Sequence, residues 1–239
     1  MFTFYKKMSP ETFAEQVAQL LGPRLKAVIL YGSAAAGDHM GRQSDFNLLL
    51  VLENIGLEEL SCLSSPVKRW RRAGNTAPLL FTEARLLKSA DVFPIEMLDM
   101  IQSHRVLHGD DLLTGMEVSK QHLRHQVEFE LRSKLLKLRE AYVLSGGKGI
   151  RLFMTLVASL SPVMVVMRAA LRLYSDEVPA EKMDALRALA AFVPLDLAPF
   201  ERLLEFKAVK KAPRRKELPD LFAAYIRQIE TVTDAVDAI

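Results

Sequence analysis

The sequence predicts a two-part chain: an α/β unit over residues 1–115, then an all-α helical bundle over residues 116–239. Three observations predict it. Two short apolar runs, Lys26 to Tyr31 and Phe46 to Leu52, flank a stretch of small residues and read as buried strands. Near Gly109-Asp110-Asp111 the character of the chain changes. From Val118 onward apolar residues recur at helical steps, and few glycines remain outside Gly146, Gly147 and Gly149.

Each element follows from local chemistry. Ser9 before Pro10 is a helix start, with serine as N-cap and proline at the first helical position. Phe13, Val17, Leu20 and Leu21 give that helix an apolar face, and Gly22-Pro23 ends it. The strand Lys26 to Tyr31 stops at Gly32. Leu57 to Arg72 reads as a helix broken or kinked near Pro66. Its basic end, with Lys68, Arg69, Arg71 and Arg72 around Trp70, suits the negative pole of the helix dipole. Ala77 to Thr82 is a third strand, and Glu83 to Ser89 a short helix. Within Val92 to Leu107, Phe93, Ile95 and Met97 alternate at strand spacing. A strand there would carry Glu96 and Asp99 on opposite faces.

In the second part, Leu123, Val127, Leu131, Leu135, Leu138 and Val143 mark one buried face of a helix over Glu117 to Leu144. Leu152 to Met167 holds no charge but includes Pro162, and reads as a buried central helix with a kink rather than a membrane span. Leu221, Tyr225, Ile229 and Val232 line a terminal helix. A bundle of four or five helices results.

Composition bounds the function. Half of the 239 residues are apolar, enough for a sizeable core. The net charge of +3 does not mark a nucleic-acid protein. One cysteine, Cys62, excludes an internal disulfide framework and suits a reducing cytoplasm. The N-terminus, MFTFYKKMSPETF, has no long apolar run of a secretory signal, so a cytoplasmic protein is expected.

The chemistry concentrates between the first two strands. Gly32, Ser33, Gly37, Asp38, Gly41 and Ser44 allow a sharp turn and close approach to a ligand. On the second strand Asp45 and Asn47 share one face, while Phe46 and Leu48 point into the core. Burying such polar groups unpartnered costs roughly 1–3 kcal/mol each, so a cleft or ligand is their natural destination.

Tyr31, Gly32 and Ser33, followed after about a dozen residues by Asp45, Phe46, Asn47 and Leu48, resemble the signature of the DNA polymerase beta-like nucleotidyltransferases. The resemblance covers about the first hundred residues and implies a mixed sheet. It also implies that Gly32 and Ser33 hold the terminal phosphates of a nucleoside triphosphate, that strand carboxylates hold Mg²⁺, and that a later strand supplies a third acid, either Glu96 or Asp99. Two metals suit the reaction because one activates the attacking oxygen and the other neutralises the departing pyrophosphate. Two positions depart from the pattern. Asn47 stands where a second carboxylate is usual, leaving Asp45 and Glu96 as charged ligands for a single Mg²⁺. Ala36 stands where active members often carry an arginine, with Arg42 as a substitute.

Two functions follow. One is transfer of a nucleotidyl group from an NTP to a hydroxyl of a small molecule or protein. The other is a catalytically impaired nucleotide-binding or protein-interaction module. A nucleic-acid adaptor built on Lys207, Lys210, Lys211, Arg214, Arg215 and Lys216 is weaker, since few aromatics interleave these cations. His122 and His125 lack a third ligand for zinc. His104 and His108 could reach the cleft, though a structural role fits them better. The sequence leaves the acceptor and homodimer formation open.

Overall fold

The computed structural model describes residues 8–32, 34, 35, 46–209, 212–214 and 216–239. Contacts divide the chain into two compact units, Met1–Val118 and Ser119–Ile239.

The first unit is a four-stranded mixed sheet, in the order Leu79–Thr82, Asn47–Leu52, Leu25–Tyr31 and His104–Gly109, with helices on both faces. Helix α1 (Pro10–Leu21) begins where the Ser9 hydroxyl accepts from the Thr12 amide at 3.1 Å. It buries Phe13, Ala14, Val17 and Leu21, and stops at Gly22. Strand β1 (Leu25–Tyr31) runs antiparallel to β2 (Asn47–Leu52) and to β4 (His104–Gly109). Helix α2 (Leu57–Arg72) then crosses over to β3 (Leu79–Thr82), which pairs parallel with β2. A parallel neighbour needs such a crossover, and α2 supplies it.

Alternate residues of the two central strands build two cores. Val28, Leu30, Leu48, Leu50 and Leu52 pack with Phe13, Leu63 and Trp70 of α1 and α2. Ala27, Ile29, Leu49 and Val51 pack with Leu86, Met97 and Met100. These last three lie on α3 (Glu83–Lys88) and α4 (Pro94–Gln102). Both faces are covered, which is why β1 and β2 read as nearly unbroken apolar runs.

Expectations for two elements are corrected. The strand predicted to carry Glu96 and Asp99 is instead α4, with β4 beginning only at His104. Pro94 sits at the first helical position, where its missing N–H costs nothing, and the Met97 amide closes the first turn on the Phe93 carbonyl at 3.0 Å. Glu96 and Asp99, three apart, therefore share one side of a helix instead of opposing faces of a strand. Of the break or kink expected in α2 near Pro66, the break is absent, since the helix continues through it. Trp70, central to the basic cluster, is wholly buried, and its Nε1 donates to the Thr76 carbonyl at 2.8 Å.

The described residues of the second unit form five helices: α5 (Lys120–Ser145), α6 (Gly149–Leu171), α7 (Lys182–Leu189), α8 (Ala198–Val209) and α9 (Leu218–Asp237). Helix α6 is long and apolar enough to cross a membrane by length and composition. In this bundle it buries Leu156, Leu160, Val163 and Met167 among other residues, and it continues through Pro162. Two buried polar contacts tie its helices and loops together. The Gln228 side-chain oxygen accepts from the Asp196 amide at 2.9 Å, and Tyr225 Oη lies 3.2 Å from Ser159 Oγ.

Candidate functional site

Tyr31, the last residue of β1, stands directly opposite Asn47, the first residue of β2. Gly32 follows with φ of +78°, a conformation that costs other residues a Cβ clash. Its amide donates to the Ser103 carbonyl at 2.9 Å, and its own carbonyl accepts from the Ala35 amide at 2.9 Å. A Cβ added to Gly32 would lie 3.4 Å from Asn47 Nδ2. The side-chain amide of Asn47 is thus seated against the backbone corner.

The two-residue period of β2 fixes which groups meet. Asn47 shares its sheet face with Leu49 and Val51, against which α4 packs, and Tyr31 joins the same cluster. Phe46 and Leu48 take the other face, pointing into the core as the sequence predicts, and there they pack with Trp70. Burial, and then the negative charge of Glu96, push the Tyr31 phenol up to about 12. Glu96, exposed on α4, therefore acts electrostatically on the hydroxyl beside the Gly32 corner, and half-buried Asp99 lies on the same side of the helix. Of the predicted site residues, Gly32 and Asn47 are brought together here, and Glu96 reaches the corner only through its charge on Tyr31. Ser33, Ala36, Gly37, Arg42 and Asp45 lie outside the described residues. Tyr31 entered the sequence reading only as an apolar flank. Its place opposite Asn47 depends on strand register, which the intervening residues do not reveal.

His104 pairs with Tyr31 across the β1–β4 ladder but serves the fold. Its Nδ1 lies 3.1 Å from the carbonyls of Met100 and Ile101, and its Nε2 lies 3.2 Å from both Asp111 oxygens. It clips the end of α4 to the segment after β4. Hydrogen bonds from Thr114 first, and then from His104, hold the Asp111 carboxyl well below its usual range.

Mg²⁺ takes oxygen ligands and favours charged ones. At this corner Asn47 brings one neutral carboxamide, whose nitrogen is the atom nearest a Cβ on Gly32. β3 (LLFT), the neighbour of β2, has no acidic residue, and neither has β4 (HRVLHG). Among the described residues these strands add no charged oxygen donor beside that amide, and Asp45, two positions before Asn47, lies outside them. Among the described residues no group of three His, Cys, Asp or Glu side chains gathers to hold a metal, His122 and His125 included. Of the basic run, Lys210, Lys211 and Arg215 lie outside the described residues, and Lys207 belongs to α8.

No family model and no curated protein matches the sequence. Among solved structures, the chain is similar to the crystal structure of spectinomycin adenyltransferase AAD(9) from Enterococcus faecialis with ATP and spectinomycin. The TM-score is 0.56 at 10% identity, and the match covers 95% of this chain and 98% of that one. The fold is nucleotidyltransferase-like. At that identity the likeness is one of fold, and it extends over the α/β unit and the helical part alike.

Proposed function

We propose that this chain binds a nucleoside triphosphate at the Gly32 corner and transfers its nucleotidyl group to a hydroxyl of a small molecule. The observation that carries this reading is the corner itself. Gly32 at φ +78° closes β1 with the Asn47 amide against it, and Glu96 acts on the adjoining Tyr31. Similarity of fold to an adenyltransferase whose structure holds ATP and spectinomycin supports it.

In this reading the backbone of Gly32 and Ser33 cradles the phosphates, as small-residue turns with exposed N–H groups do. Gly37 lets the following segment approach, and Arg42 adds a cation to the triphosphate. Asp45 and Asn47 hold Mg²⁺, which when bound offsets charge on the departing pyrophosphate. Tyr31, protonated at neutral pH, can donate a hydrogen bond to the ligand. Glu96 takes the proton of the acceptor hydroxyl, whose oxygen bonds to the α-phosphorus. The bond from that phosphorus to its bridging oxygen breaks, and pyrophosphate leaves with the electron pair. Asp99, on the same side of α4, is the second carboxylate within the group.

A second reading is favoured by the neutral Asn47 and the acid-free β3: a nucleotide-binding or protein-interaction module with little transfer. Titration with ATP, GTP, CTP and UTP, with and without Mg²⁺, followed by an assay of pyrophosphate release with small-molecule extract, separates the two. Release supports transfer. Mg²⁺-dependent binding without release supports a nucleotide-binding module, and failure to bind any nucleotide overturns transfer and leaves only the protein-interaction form of the second reading.

A further inference from the structure

Asn75, between α2 and β3, is 5% exposed, yet neither its Oδ1 nor its Nδ2 has a hydrogen-bond partner among the described residues. Buried carboxamides are nearly always satisfied, because an unmade bond costs the full desolvation of the group. Such an amide calls for a polar partner beyond the described residues.

Two observations place it at the same end of the sheet as the Gly32 corner. The parallel register pairs Leu49 with Leu79 through Leu52 with Thr82. Carried on toward the start of both strands, it sets Thr76 level with Phe46 and Ala77 level with Asn47. Independently, the Trp70 indole bonds the Thr76 carbonyl at 2.8 Å, and its ring lies 6.1 Å from that of Phe46. Asn75 therefore precedes β3 beside the end of β2 that carries Asn47.

We propose that the Asn75 carboxamide contacts the base edge of the bound nucleotide, an inference that rests on the nucleotide-binding reading above. Phosphates offer acceptors only and would leave Oδ1 unused. A nucleobase edge presents adjoining donor and acceptor atoms, which a carboxamide matches with one oxygen and one amino group. Spacing agrees: β3 lies two strands from β1, about 10 Å, a separation that a nucleotide with its phosphates at Gly32 can span.

The test compares ATP with inorganic tripolyphosphate, a probe without the base, on the full-length wild type and on the Asn75→Ala and Asn75→Leu variants. The leucine variant nearly preserves volume and guards against a cavity effect. The expected result is about a tenfold loss of ATP affinity in both variants, with tripolyphosphate affinity unchanged. Unchanged ATP affinity, or equal loss for both probes, overturns the inference while leaving the nucleotide reading intact. A wild type that binds neither probe overturns the nucleotide reading, and this one with it.

Discussion

Asn47 lies against Gly32 so closely that a methyl group on the glycine would meet its side-chain nitrogen at 3.4 Å. The corner is thus set by backbone conformation and by one neutral amide. Replacing Gly32 with alanine forces a Cβ into the left-handed region, at a cost of about 1–2 kcal/mol. Chemical denaturation should register that loss, and nucleotide affinity should fall with it.

Asn47→Asp restores a charge where an amide now stands. Calorimetric titration should show tighter Mg²⁺ binding in the presence of nucleotide. No gain would mean that position 47 does not face the ion.

Glu96 is the charge that acts on Tyr31. In Glu96→Gln the Tyr31 pKa should drop part of the way from about 12 toward its ordinary 10.0, because burial, the larger cause, remains. NMR of labelled tyrosine across alkaline pH reads this directly. An unmoved Tyr31 would remove Glu96 from the corner.

Asp111 sets an acid limit on stability. Its carboxyl is depressed below the ordinary 3.8, so the stabilisation is complete above that value. It is lost progressively as pH falls through 3.8 toward the lower native value. Asp111→Asn, which removes the titrating group, should therefore be less stable than wild type at neutral pH and nearly equal to it at the lowest pH. Urea midpoints measured from pH 7 to pH 2 would show the two curves converging.

Trp70 is the single tryptophan and fully buried, so its fluorescence should be blue-shifted and poorly quenched by acrylamide. Trp70→Ala should cost about 3–5 kcal/mol, the range for removing a large aromatic from a packed core. Trp70→Phe should cost about 1 kcal/mol for the lost bond to Thr76.

Much of the first unit was legible because its signals are local. The apolar runs of β1 and β2, the Ser9 cap and the α2 and α3 helices are written within a few residues each. Period-two alternation placed Phe46 and Leu48 on one face, toward the core, and Asn47 on the other. The same alternation misled at Phe93, Ile95 and Met97, where a strand pattern overlies the Pro94 start and the Met97 and Met100 spacing of α4. Both patterns fit nine residues, and packing of α4 against Leu49 and Val51 decides between them. Tyr31 opposite Asn47 and the burial of Asn75 were beyond reach for another reason. Gly74-Asn75 is an ordinary surface-turn signal, and only the crossover from α2 to β3 places that amide inside.

The most direct measurement is equilibrium binding of ATP in Mg²⁺ to the wild type and to Ser33→Ala. The account predicts saturable one-site binding by the wild type, weakened about tenfold when the hydroxyl is removed. A wild type that does not bind, or a variant that binds equally well, would contradict it.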